Sequence, residues 1–119
     1  MKFDIITILY NSEKWLQGYL DAILHSDCNL ADLNLILIDN KPGMAYTETI
    51  DQHPLIQKLG SFKLIHNTEN VGFGIANNQG AKLGAAPYVF FLNIDTELTP
   101  TALSELKAGI QQSLPEVGA

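Results

Sequence analysis

The chain has 119 residues, 46% hydrophobic and 17% charged, with a net charge of −6 from 7 lysines, no arginine and 13 acidic residues. That is enough for one globular domain with a single core, it is not the composition of a disordered chain, and it cannot assemble the basic patch a nucleic-acid partner needs. A single cysteine, Cys28, excludes an internal disulfide or a thiolate zinc site, and no apolar run approaches the ~18 residues of a membrane helix.

The first residues, MKFDIITILYN, carry one lysine and an apolar stretch. Asp4 interrupts that stretch and no small-residue cleavage site follows, so a signal peptide is not expected and the cytoplasm is the default compartment. FDIITILY (3–10) is short, apolar and β-branched, as a buried parallel strand should be. Asn11 or Ser12 can cap a following helix whose Trp15, Leu16, Tyr19, Leu20, Ile23 and Leu24 form one apolar face. LNLILID (33–39) is a second strand, and NKPG (40–43) is turn chemistry. A weaker helix over 45–59 is disturbed by His53-Pro54. FKLIHN (62–67) is a third strand, and FGIANNQGAKLGAA a glycine-weakened helix that Pro87 ends. YVFFLN (88–93) is the fourth strand. Thr99 caps a last helix with Pro100 in its first turn and Leu103, Leu106, Ile110 and Leu114 as its inner stripe. PEVGA then closes the chain without regular structure.

Strand–helix alternation with short loops predicts an α/β fold, a mostly parallel sheet of about four strands with helices on both faces. In such sheets ligands bind beyond the carboxyl ends of the strands, where strand order reverses. Four polar segments sit at those ends. In LNIDTE, Asn93 and Asp95 are two apart, so a continuing extended chain would point both to one side. An amide oxygen and a carboxylate together suit Mg2+ or Mn2+, which keep waters and take further ligands from phosphates. The alternative is that Asn93, Asp95 and Thr96 form a turn that starts the last helix. Asp39 can accept hydrogen bonds from a ribose or a base, or cap its own turn. In NVGFGIANNQG, Gly72 and Gly74 permit close backbone approach, and the helix starting there offers free N–H groups to an anion. Asn70, Asn77 and Asn78 add neutral donors. The dinucleotide fingerprint is absent, since Gly80 rather than a nearer glycine follows Gly72-x-Gly74. Tyr10 offers a ring for stacking on a base, and Asn11 an amide. His25, His53 and His66 have no metal-ligand spacing and read as surface or satisfied core residues.

Taken together, TILYN, LIDN, NTENVGFGIANNQG and YVFFLNIDTEL resemble the inverting glycosyltransferases of family 2, and among them the rhamnosyltransferase-like members that build bacterial surface polysaccharides. The resemblance covers nearly the whole chain. It implies the Rossmann-like GT-A fold with strand order 3-2-1-4. It assigns Thr7, Tyr10, Asn11 and Asp39 to the nucleoside, and Asn70, Gly72 and Asn78 to the donor diphosphate and sugar. Asn93 and Asp95 fall to Mg2+ or Mn2+, with Asp95 the direct ligand. It further implies a UDP- or dTDP-sugar donor, a saccharide or lipid-linked acceptor, and work in the cytoplasm at the inner face of the membrane. Asn93 replaces the first acid of the family's Asp-x-Asp, and Asn77 stands where many relatives carry arginine.

In the family the acceptor site and the catalytic base follow the metal motif. No catalytic base is therefore expected within residues 1–119, which read as the nucleotide-sugar-binding portion of a longer domain and inactive alone. Two other readings compete. LNIDTEL also resembles the Asp-x-Asp-x-Thr of haloacid-dehalogenase phosphatases, in which the first acid is the nucleophile, a role Asn93 cannot fill. A non-catalytic module that self-associates to complete its sheet is the other.

Overall fold

The two most apolar runs lie side by side at the centre of the sheet. The computed structural model describes residues 2–41, 46–96 and 98–117, with residues 47 and 110–117 described by backbone alone. β1 (Phe3–Leu9) and β2 (Leu33–Asp39) pair in parallel, from Phe3 opposite Leu33 to Leu9 opposite Asp39. β3 (Ser61–His66) joins the outer side of β2, and β4 (Tyr88–Phe91) the outer side of β1. The order is β3-β2-β1-β4 with every pair parallel, as the resemblance implied. Strand order therefore reverses between β1 and β4, and the crevice beyond their carboxyl ends is the place for a ligand.

The period of two along β1 and β2 divides the core between the two faces. Phe3, Ile5, Leu9, Leu35 and Leu37 face one layer, while Ile6, Ile36 and Ile38 face the other. The first layer holds α1 (Glu13–Leu24), α2 (Thr47–Asp51), α3 (Leu55–Lys58) and the start of α5 (Ala102–Val117). The second holds α4 (Phe73–Leu83), which packs on β1 and β2. α1 buries Leu16, Tyr19, Leu20 and Ile23, one turn-spaced stripe. α4 comes very close to β1: a Cβ on Gly80 would lie 2.5 Å from the Ile6 side chain.

Several sequence expectations change at this level. The weak helix over 45–59 is two short helices, because His53 and Pro54 interrupt it. His53 is buried and accepts from the Leu55 N–H at Nδ1, so its Nε2–H donates to Asp21 of α1 at 2.7 Å. Trp15 is 43% exposed, at the edge of the α1 stripe rather than within it. α4 stops at Leu83, before Pro87: Gly84 is extended and the buried Asp4 carboxylate takes the Ala86 N–H at 3.1 Å, pulling the chain straight. β4 stops at Phe91. In α5 Leu103 is buried but Leu106 is 43% exposed, so its inner stripe is confined to the first turn among the described side chains. Pro115–Val117 belong to α5. Pro42 and Gly43 of the expected turn, Glu97, and the side chains of Ile110 and Leu114 lie outside the described residues. Among the described residues no helix is long and apolar enough to cross a membrane.

Candidate functional site

The exit from β1 is a sharp turn held by its own polar groups. Asn11 has φ +52, a left-handed conformation that Asn tolerates better than most residues. Ser12 is buried and bonds backward instead of capping α1: its hydroxyl accepts from the Tyr10 N–H at 2.9 Å and donates to the Tyr10 carbonyl. The Ser12 N–H in turn donates to the Tyr46 hydroxyl. This leaves Tyr10 and Asn11 exposed at the crevice. Thr7 does not reach it. Thr7 is fully buried on the odd-numbered face of β1, two residues below the exit, with its hydroxyl bonded to that of Tyr19. Burial pushes the Tyr19 phenol well above the usual tyrosine range. The Thr7 side chain is thus a core group, which corrects its assignment to the nucleoside.

The exits of β2 and β3 are tied together by amides. Asn40 is 3% exposed. Its Oδ1 accepts from Asn67 Nδ2 at 3.0 Å and from the Val71 N–H at 3.2 Å, and its Nδ2 donates to Asn70 Oδ1 at 2.9 Å. Asn70 Oδ1 also accepts from the Gly72 N–H, and Asn67 donates to Gln79 on α4. The amide oxygen of Asn70 is therefore committed inside the protein. Gly72 has φ +86, which only glycine adopts without strain, and it turns the chain into α4. Asn78 is exposed on α4. Asp39 is 2% exposed, accepting from the Lys41 N–H at Oδ1 and from His66 Nδ1 at Oδ2, 3.0 Å away.

Beyond β4 the chain does not continue extended. Asn93 to Thr96 is a turn closed by the Thr96 N–H on the Asn93 carbonyl at 3.0 Å. The pleat argument for Asn93 and Asp95 therefore fails, and the turn alternative describes the backbone. Both side chains are nevertheless exposed and line one hollow of about 320 Å3, together with Tyr10, Asn11, Ser12, Trp15 and Phe73. Asp39, Asn70, Gly72 and Asn78 are not in its wall. Asp95, Ile94 and Trp15 also border a second hollow of about 330 Å3 that runs along α1 past Lys14 and Gly18.

Among the described residues no three His, Cys, Asp or Glu side chains come together as a metal cage. One carboxylate and one amide oxygen on an open wall instead fit a hard divalent ion that takes its other ligands from water and phosphate. Sequence reasoning missed three residues here. By spacing Trp15 belongs to the apolar face of α1. Phe73, 59% exposed, reads in sequence as no more than the start of a helix. Asn40 reads as part of a turn, although the asparagine-rich IDN and HNTEN segments are a signal for an amide network.

A parallel sheet ordered β3-β2-β1-β4, whose reversal point opens onto an oxygen-bearing turn and exposed aromatic rings, is the Rossmann-like architecture of the GT-A fold. Solved structures show the same fold. Staphylococcus aureus TarS 1–349 in complex with UDP-GlcNAc superimposes with a TM-score of 0.82 at 23% identity, over 94% of this chain and 32% of that one. A mannosyltransferase, PcManGT from Pyrobaculum calidifontis in complex with GDP-Man and Mn2+, gives 0.74 at 20% identity, over 98% of this chain and 33% of that one. The sequence profile of glycosyl transferase family 2 matches residues 4–117, and the chain belongs to that family. With that membership the phosphatase alternative falls. A curated relative, the poly(ribitol-phosphate) beta-glucosyltransferase of Bacillus spizizenii, is 26% identical over 104 residues, which are 87% of this chain and 16% of the relative. The chain thus spans about a sixth of the length of the curated relative it matches.

Proposed function

We propose that residues 1–119 are the donor-binding portion of an inverting glycosyltransferase. The donor is a UDP- or dTDP-sugar, and the acceptor is a hydroxyl of a saccharide or lipid-linked chain in cell-surface polysaccharide synthesis at the cytoplasmic face of the membrane. The observation that carries this reading is the shared hollow: Tyr10 and Asn11 from the β1 exit face Asn93 and Asp95 from the β4 turn across the point where strand order reverses. Family membership supplies the reaction class, and the neighbours bound to UDP-GlcNAc and to GDP-Man with Mn2+ support the ligand class.

In this reading the Tyr10 ring stacks on the base. Asp39, oriented by His66 and the Lys41 N–H behind the wall of the hollow, is assigned to a base N–H that would have to reach past Lys41. The amide network around Asn40 and Asn70 fixes the turn at Gly72, so that the first N–H groups of α4 face the diphosphate. Asn78 adds a neutral donor on the same helix. Asp95, with Asn93, would hold Mg2+ or Mn2+, which supplies charge neutralisation of the leaving diphosphate. The acceptor hydroxyl and the base that deprotonates it act from outside these elements.

Trp15 is the only tryptophan in the chain and lies in the wall of the hollow, so its fluorescence reports occupancy directly. Titration with UDP should change that signal in a manner that depends on Mn2+. Asp95→Ala should abolish the Mn2+ dependence, weakening binding by at least about tenfold, the cost of losing one charged contact. A chain that ignores UDP in the presence of Mn2+ would overturn the reading.

A further inference from the structure

The donor site is short of positive charge, and one lysine is placed to supply it. The chain carries a net charge of −6 and no arginine, so a diphosphate would meet a protein that repels it. A single divalent ion matches the two charges of a sugar-bound diphosphate but not the third that develops when the nucleoside diphosphate leaves, nor the carboxylate of Asp95 itself. Lys14 is turned to the second hollow, with Nζ 4.7 Å from the Trp15 ring centroid. Lys41 is different. Its backbone is fixed at the β2 exit, where the N–H donates to Asp39 and the preceding Asn40 N–H donates to the Leu9 carbonyl. Its side chain crosses to the β1 exit, where Nζ donates to Asn11 Oδ1 and lies 5.6 Å from the Tyr10 ring centroid. Both partners line the hollow with Asn93 and Asp95.

Neither partner neutralises the ammonium. Asn11 offers a neutral amide oxygen and Tyr10 a ring face, and among the described residues Lys41 forms no ion pair with a carboxylate. A cation held at an exposed position by one amide and one ring exchanges them readily for a phosphate oxygen, because a hydrogen bond between two charged groups is stronger than either. The same ammonium lies over the Tyr10 ring on which a base would stack.

We propose that Lys41 is a ligand-exchanged latch: in the empty site it rests on Tyr10 and Asn11, and on binding it releases the Tyr10 ring to the base and moves its charge to the donor diphosphate. This rests on the donor-site reading above and adds to it a residue that sequence reasoning passed over.

The two halves of the proposal predict opposite signs for two ligands, which makes it separable from a structural role. In Lys41→Met, UDP with Mg2+ should bind about tenfold more weakly, as the loss of a charge-assisted bond implies. Uridine, which lacks the phosphates, should bind more tightly because Tyr10 is freed, and an unchanged uridine affinity would overturn the release of the ring. Lys41→Arg should recover most of the UDP affinity, and raising the salt should erode the difference between Lys41 and Met. Isothermal calorimetry for UDP and ligand-observed NMR for uridine measure this on the full chain. Equal weakening of uridine and UDP would make Lys41 a scaffold residue and overturn the proposal, as would an unchanged UDP affinity in Lys41→Met. If the unsubstituted chain binds neither ligand, the donor-site reading itself fails and the latch falls with it.

Discussion

At the scale of single residues, the asparagines do more than their exposure suggests. Asn40 joins three segments through one amide: the β3 exit through Asn67, the loop before α4 through the Val71 N–H, and Asn70, whose oxygen also fixes Gly72. Asn40→Ala would leave the Val71 N–H without its partner and take one bond each from Asn67 and Asn70, which keep Gln79 and the Gly72 N–H, at a position only 3% exposed. An unpartnered group costs about 1–3 kcal/mol when water replaces the bond poorly. We expect a loss of about 2–4 kcal/mol in denaturant unfolding, with the β1 half of the site intact. The sequence made the polar cluster visible, since amides crowd the ends of the second and third strands. It did not reveal which amide is buried, because that depends on how closely two strand exits and a helix start approach one another. Thr7 carries the same lesson in reverse. Its motif pointed to a ligand, while its place in the pleat points its hydroxyl at Tyr19.

At the scale of elements, what was legible followed periodicity and what was missed followed contact. The second strand was bounded correctly, and the others to within one or two residues, because apolar runs of β-branched residues end where polar loops begin. The α1 stripe was right at its centre and wrong at its edge. Leu16, Tyr19, Leu20 and Ile23 face the sheet whatever surrounds them, but Trp15 is a wall of the hollow only because the turn at Asn93–Thr96 stops short of covering it. The glycines of α4 divide in the same way. Periodicity says nothing of the difference between Gly74, where a Cβ would meet nothing within 4 Å, and Gly80, where it would lie 2.5 Å from the buried Ile6. Gly74→Ala should therefore stabilise α4 by roughly 0.5–1 kcal/mol through helix propensity alone. Gly80→Ala gains the same propensity but must push α4 off β1, for a net loss of about 1–3 kcal/mol. Paired thermal melts of the two variants check this, and matching signs would mean that α4 is free to shift on the sheet.

At the scale of the whole molecule, one helix cannot cover four strands. α4 packs mainly on β1 and β2, so among the described residues the second face of β4 is only partly covered. By register Val89 and Phe91 stand beside Asp4 and Ile6 on that face, and they are 36% and 54% exposed. β4 is also an edge of the sheet among the described residues, and an apolar edge strand is a template for pairing with another chain. Against this works the net charge of −6, which repels a second copy at long range. The two effects differ in their response to salt: repulsion between exposed charges is screened, whereas burial of Phe91 is not. Self-association should therefore be weak at low ionic strength and grow as salt is added, and Phe91→Lys should abolish it while leaving the melting temperature nearly unchanged, because the ring it removes is already more than half in water. Sedimentation velocity across a concentration series at two salt levels measures this. A monomer under every condition would mean that the short edge of four residues protects itself, and would remove the observation that favours an oligomerisation module over a donor-binding domain.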